Sequence, residues 1–247
     1  MQINEIKSKL KLDPPKFTCD IPLSKKDIAP FENRSFFTVF VGQPRSGKTS
    51  HMISSLMSKK VYNKVFDHIY VVMPEASRKS LKNNPFKNIK NKYDELDYQT
   101  LKSIHEKIED GLETDDEDED FVKPNSLIII DDQTVFLKVH AVAKLLTYLI
   151  LNRRHLRLSI MMTVQYYNSI PLPIRKNISS IIMANKPVNS SELKNITTEL
   201  FAMDPDESIQ VLKYCFQKKY DKCHVILEPL TYYRNLNKLE ISGTEKI

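Results

Sequence analysis

Short, largely apolar runs recur along the chain, and stretches with helical spacing separate them. Phe36–Val41 is the first run, β-branched and aromatic, and Ser50–Met57 follows it as a helix. Phe66–Met73 reads as a second strand that stops at Pro74, because proline cannot donate to a ladder. Residues 75–95 are rich in lysine and asparagine and predict no regular element. A helix is expected over Tyr98–Asp110. Ser126–Asp131 is four apolar residues long before it ends in acid, the pattern of a strand buried on both faces of a parallel sheet. Val139–Leu151 has helical spacing, with Val142, Leu145, Leu146, Leu149 and Ile150 on one side. Strands at Leu158–Val164 and Ser179–Ala184 come next, then helices at Glu192–Phe201 and Asp206–Gln217. Lys222–Leu227 and Leu230–Tyr233 predict a closing antiparallel pair. Strands alternating with helices predict an α/β fold, a mostly parallel central sheet flanked by helices.

Residues 1–34 hold Pro14, Pro15, Pro22 and Pro30 and little periodicity. They read as an extended N-terminal arm with a short helix at its start, leaving 35–247 as the domain proper. Residues 109–120 carry nine acids and no base. This run is expected to be a surface insertion rather than a boundary, because the sheet needs strands from both sides of it.

Composition adds further constraints. The chain has 247 residues, 41% hydrophobic and 28% charged, which suits one soluble domain with a full core. Cys19, Cys215 and Cys223 form no C-x-x-C pair and cannot all pair with one another, which points to a reducing compartment. No apolar stretch approaches the length of a membrane span, and the charged N-terminus has no signal-peptide core. Net charge is +6, but outside the acidic run 37 basic residues face 22 acidic ones. So basic a body fits a polyanionic partner, although solubility alone also accounts for it.

The chemistry begins at Gly42-Gln43-Pro44-Arg45-Ser46-Gly47-Lys48-Thr49, the phosphate-loop pattern G-x-x-x-x-G-K-[ST], set between a predicted strand and a predicted helix. Two of the chain's four glycines are spent there. Glycines let backbone N–H groups turn inward around an anion, and the helix start at Ser50 adds partial positive charge. Lys48 would reach the β- and γ-phosphates of ATP, and the Thr49 hydroxyl would ligate Mg²⁺. Asp131, at the end of its apolar strand, would hold the same ion. Asp132 would orient and deprotonate the attacking water, as a shorter acid than the glutamate common at that place. Gln165 ends the strand after the acidic one, where an amide can both donate and accept beside the γ-phosphate.

Arginines at 153, 154 and 157, with Arg175 beyond, are candidates to stabilise developing phosphoryl charge, but a basic helix end favoured by the dipole fits equally. His155 reads as a buried hydrogen-bonding histidine, and no His/Cys spacing suits zinc. Two basic stretches, Arg78–Lys92 and Lys213–Lys222 with Tyr214 and Tyr220 interleaved, could touch nucleic acid, but solvated lysine faces are the commoner outcome.

Taken in order, Gly42–Thr49, Ile128–Asp132, Arg153–Gln165 and Pro171–Asn177 resemble the FtsK–HerA-type DNA-packaging ATPases of large DNA viruses, poxviruses among them, and of virophages. The resemblance covers roughly residues 35–190. It implies a P-loop NTPase core of the ASCE type in a homo-oligomeric ring that pumps double-stranded DNA into a capsid. It also implies a soluble protein of the infected cell, in the cytoplasmic virus factory or the virion, with capsid proteins as partners. By position, Lys48 and Thr49 would bind ATP and Mg²⁺, Asp131 the metal, Asp132 would be the base, Gln165 the sensor, and Arg154 the first choice for an arginine acting on a neighbouring subunit. Three alternatives stay open: a nucleoside or nucleotide kinase, another ATP-driven motor on DNA such as a helicase, and a nucleotide-gated module that hydrolyses nothing.

Overall fold

The computed structural model describes residues 21–82, 84–112, 123–187 and 189–241. The expected helix at the start of the arm, Cys19 and most of the acidic run lie outside these residues. Among the described residues, nine strands form one sheet in the order β3-β2-β4-β5-β1-β6-β7-β8-β9. Its parallel half comprises β1 (Phe37–Val41), β2 (His68–Val72), β3 (Lys92–Tyr93), β4 (Ser126–Asp131), β5 (Leu158–Val164) and β6 (Ser180–Met183). Strands β7 (Cys223–Leu227), β8 (Leu230–Arg234) and β9 (Asn237–Lys238) extend it antiparallel. The helices are α1 (Lys48–Met57), α2 (Glu75–Ser80), α3 (Tyr98–Asp110), α4 (His140–Leu151), α5 (Leu172–Arg175), α6 (Ser190–Leu200) and α7 (Pro205–Cys215).

Successive side chains of a strand point to opposite faces, so the buried central strands feed two cores. Phe37, Val39, Ile128, Ile130, Ile160 and Met162 face the larger one, with Leu101 and Ile104 of α3 and Val142, Leu146 and Leu149 of α4. Phe40, Leu127, Ile129 and Met161 face the other, with Met52 of α1 and Leu23 and Ile28 from residues preceding β1. All residues of β1, β4 and β5 are buried, as their largely apolar runs predict.

Apolar pattern located the long elements to within two residues and missed the short ones. The lysine-rich stretch after β2 contains α2, which starts directly after Pro74, and β3 at the sheet edge. α5 was not expected either. Such pieces are too short to show a period and depend on tertiary contacts. Arg78 shows the contact for α2: it donates to the carbonyls of Met73 and Tyr93 and pairs with Asp94 at 2.6 Å. Arg78 is therefore a brace across the edge of the sheet, whereas Lys82, Lys87, Lys90 and Lys92 are exposed.

Candidate functional site

Parallel strands end together, and that is what assembles the site. Val41 pairs with Val164, and Asp131 with Thr163, so the phosphate loop, Asp132 and Gln165 leave adjacent strands at one edge. Gly47 caps α1 at φ 87°, in the left-handed region that only glycine enters without strain. A methyl at Gly42 would meet Ser46 Oγ at 2.5 Å, Asn185 Oδ1 at 2.9 Å and the Ala184 methyl at 3.1 Å. The loop is tied to both neighbouring strands. Gly42 N–H donates to the Val164 carbonyl (3.0 Å), and Gln43 N–H donates to Asn185 Oδ1 (2.7 Å) beyond β6. Helix α1 starts at Lys48, so Lys48, Thr49 and Ser50 occupy its first turn, where N–H groups have no intrahelical acceptor. Ser46 Oγ is buried in the loop without a hydrogen-bond partner. Orphan donors at a helix N-terminus around a glycine turn make an anion cradle.

Thr49 Oγ1 donates to Asp131 Oδ1 at 2.8 Å, and Thr163 Oγ1 donates to the same oxygen at 2.7 Å. Burial pushes the Asp131 carboxyl up from its ordinary range; the two hydroxyls and the Lys48 ammonium pull against that. A hydroxyl and a carboxylate that touch, beside a phosphate cradle, suit Mg²⁺, which takes one or two protein oxygens and completes its shell with phosphate and water. Asp132 sits at φ 55°, a left-handed conformation that Asp tolerates better than most residues. Its N–H donates to Thr163 Oγ1 (3.1 Å), and its carboxylate accepts from Gln165 Nε2 (3.0 Å). Thr163 thus joins the two acids, and the Gln165 amide fixes the second one while keeping its own oxygen to accept from water.

The segment after Gln165 is held just as firmly. Tyr167 N–H donates to the buried Glu192 carboxylate (2.6 Å), and Tyr167 Oη donates to Glu199 (2.9 Å). Arg175 meets Glu199 through two nitrogens, each 2.9 Å away, and stacks 5.0 Å from the Tyr167 ring centre. The Pro171–Asn177 motif is thereby a clamp between α5 and α6 that supports the exit of β5, and Arg175 is engaged within the chain. Arg157, 3% exposed, donates to the Ile21 carbonyl (2.7 Å) and to Asn125 Oδ1 (2.6 Å) and is likewise structural. His155 is exposed, not buried as expected, because the turn from α4 into β5 spends its inward position on Leu156. Arg153 and Arg154 line a cleft of about 620 Å³ with Glu32, Ser35 and Ser179, at the starting ends of the strands. A strand advances ~3.3 Å per residue, which puts them on the order of 20 Å from their own phosphate loop.

Sequence reading missed several contributors. Thr163 and Asn185 were not singled out, although a threonine inside a strand buried on both faces is a polar signal. The larger omission is the loop 216–222, where Tyr220 and Lys222 line a cleft of about 510 Å³ with Arg45, Gly47, Lys48, Thr49 and Ser50. A second cleft, of about 520 Å³, lies between Gln43–Ser46, Ala184–Lys186 and the same loop. Asp221 fixes that loop. Its carboxylate accepts from Gln217 N–H (3.1 Å), Lys218 N–H (2.9 Å), Arg234 (2.9 Å) and Asn235 (3.2 Å), and these donors hold its carboxyl well below the usual range. Lysines expected on a solvated face therefore stand beside the phosphate loop.

Three solved structures illustrate the fold. The DNA-packaging ATPase B204 of Sulfolobus turreted icosahedral virus aligns with 81% of this chain and 96% of its own, at 16% identity and TM-score 0.58. The genome packaging NTPase B204 of Sulfolobus turreted icosahedral virus 2, in complex with AMPPCP, aligns with 83% and 98%, at 16% identity and TM-score 0.54. The cytoplasmic domain of the Thermomonospora curvata Type VII secretion ATPase EccC aligns with 84% of this chain and 24% of its own, at 13% identity and TM-score 0.55. No curated protein matches the chain at a significant level. Such likeness shows a P-loop ATPase fold. The family follows from residues 25–228, which span the loop, both acids, Gln165 and the loop 216–222 and match the profile of the poxvirus A32 protein: the chain belongs to the poxvirus A32 family.

Proposed function

We propose that the chain is an ATP-hydrolysing motor subunit that packages double-stranded DNA into a viral capsid. One observation carries the hydrolytic half: Thr49, Asp131, Thr163, Asp132 and Gln165 form a continuous hydrogen-bonded chain along one edge of the anion cradle. That edge provides both a divalent-ion position and a carboxylate aimed by an amide, the arrangement that attack by water requires. When bound, Mg²⁺ would draw charge from the phosphate oxygens, held by Thr49 and Asp131. Lys48 neutralises the β- and γ-phosphates, the N–H groups of the first turn of α1 receive their oxygens, and Asp132 takes a proton from the water that Gln165 orients. A kinase would instead need a second substrate seat in place of that water.

The DNA half rests on family membership and on the genome-packaging activity named for the B204 structures. Ring assembly draws on the position of Arg154. So far from its own loop, it could serve only a neighbour's nucleotide, and a completed site would need a second copy of the chain. Around α4, exposed Tyr148 and Leu151 line, with Ala143, Pro171 and Pro173, an apolar groove of about 400 Å³ that suits such a contact. Among the described residues no helix is long and apolar enough to cross a membrane. Capsid docking and residence in virus factories or virions complete the proposal.

Phosphate release, measured with and without duplex DNA across a range of protein concentrations, tests this reading. We expect stimulation by DNA, a rate per subunit that rises with concentration, and no hydrolysis by Lys48→Ala. Full activity in Lys48→Ala would refute the site, and a rate indifferent to DNA would refute the track.

A further inference from the structure

The phosphate cradle has two ends, and the acids stand at only one of them. Asp131, Asp132 and Gln165 lie on the β5–β4 side of β1, so the reacting phosphate points that way. The other end of a nucleotide must then lead toward β6 and β7, where the loop 216–222 stands. Tyr220 belongs to both clefts that flank the phosphate loop. Its ring carbon Cδ1 comes within 3.6 Å of where a methyl on Gly47 would sit. Tyr220 is 53% exposed, and the Lys219 ammonium lies over its ring, 5.0 Å from the centre.

The backbone at Tyr220 is the second observation. It sits at φ 70°, an uncommon conformation for an aromatic residue, which persists only where surroundings enforce it. The four donors to Asp221 enforce it, as does Lys222 Nζ, which donates to the Tyr220 carbonyl at 2.9 Å. Strain of this kind concentrates at ligand clamps. Here it keeps an exposed aromatic ring beside the loop instead of letting it pack on the core.

We infer that Tyr220 is the platform on which the purine base of the nucleotide stacks, with Lys219 yielding its place on the ring to the base. This inference rests on the proposed nucleotide site and adds the subsite for the base. Stacking of a base on an aromatic side chain contributes about 1–3 kcal/mol, which corresponds to roughly 5- to 150-fold in affinity.

Calorimetric titration of the full-length protein with ATP, and separately with inorganic tripolyphosphate, tests it. Tripolyphosphate carries the phosphates without base or ribose. Tyr220→Ala should weaken ATP roughly 5- to 150-fold while changing tripolyphosphate less than about twofold, and Tyr220→Phe should restore ATP. An equal loss for both ligands, or no loss for ATP, would overturn the platform. Retained tripolyphosphate binding also shows that the variant is folded. A wild-type protein that binds neither ligand would overturn the phosphate site itself, and the platform with it.

Discussion

Replacing Thr163 by Val keeps the shape of a fully buried side chain and removes only its hydroxyl. Two interactions go with it: the 2.7 Å bond donated to Asp131 and the 3.1 Å bond accepted from the Asp132 N–H. A hydrogen bond to a charged group contributes about 1.5–3 kcal/mol, and the exposed Asp132 leaves its amide within reach of water, so the stability loss should be about 2 kcal/mol. The effect on the ion should be larger in proportion. Thr49 is itself assigned to the metal, which leaves Thr163 as the donor that holds the Asp131 carboxylate, and loss of such supporting partners lowers metal affinity about 10- to 100-fold. Urea denaturation gives the first quantity, and the Mg²⁺ concentration for half-maximal phosphate release gives the second. Thr163→Ser should restore both. If Thr163→Val loses the stability but keeps the Mg²⁺ requirement of the wild type, Thr163 packs without positioning the metal acid, and the reasoning fails.

Gly42→Ala forces a methyl against Ser46, Asn185 and Ala184 and should distort the cradle. We expect nucleotide binding to fall at least about tenfold, for a loss of about 1–3 kcal/mol in stability by thermal unfolding. Glu32, half-buried beside Arg153, has its carboxyl pushed from 4.5 to about 7 by loss of hydration. Its folded form holds the proton more tightly than its unfolded form. Its contribution is therefore full below about pH 4.5 and lost as pH rises through 7. Glu32→Gln should flatten that slope and raise stability at pH 8 by up to about 3 kcal/mol, seen as a higher melting temperature at pH 8 than wild type and little difference at pH 4.5.

The apolar runs by themselves determined β1, β4 and β5, because a strand buried on both faces is mostly apolar and its few polar positions, such as Thr163, must find partners. They put Asp131, Asp132 and Gln165 at strand exits and Lys48 and Thr49 at the start of the helix after the first strand, where the structure has them, because in a parallel sheet loops and acids stand where the apolar run stops. Spacing along the chain could not reveal partners brought together from distant segments. Thr163 and Thr49 share Asp131 from 32 and 82 positions away along the chain, and the β4–β5 register is what sets Thr163 beside it. Arg157 and Arg175 looked like their catalytic candidates in composition, and only their bonds to the Ile21 carbonyl, Asn125 and Glu199 made them braces. Tyr220 and Lys222 read as surface residues until the antiparallel extension β6–β7 folded their loop against Gly47. A sequence records which groups are available; the sheet order decides which of them meet, since hydrogen bonds and stacking act over a few ångströms and chain separation does not enter.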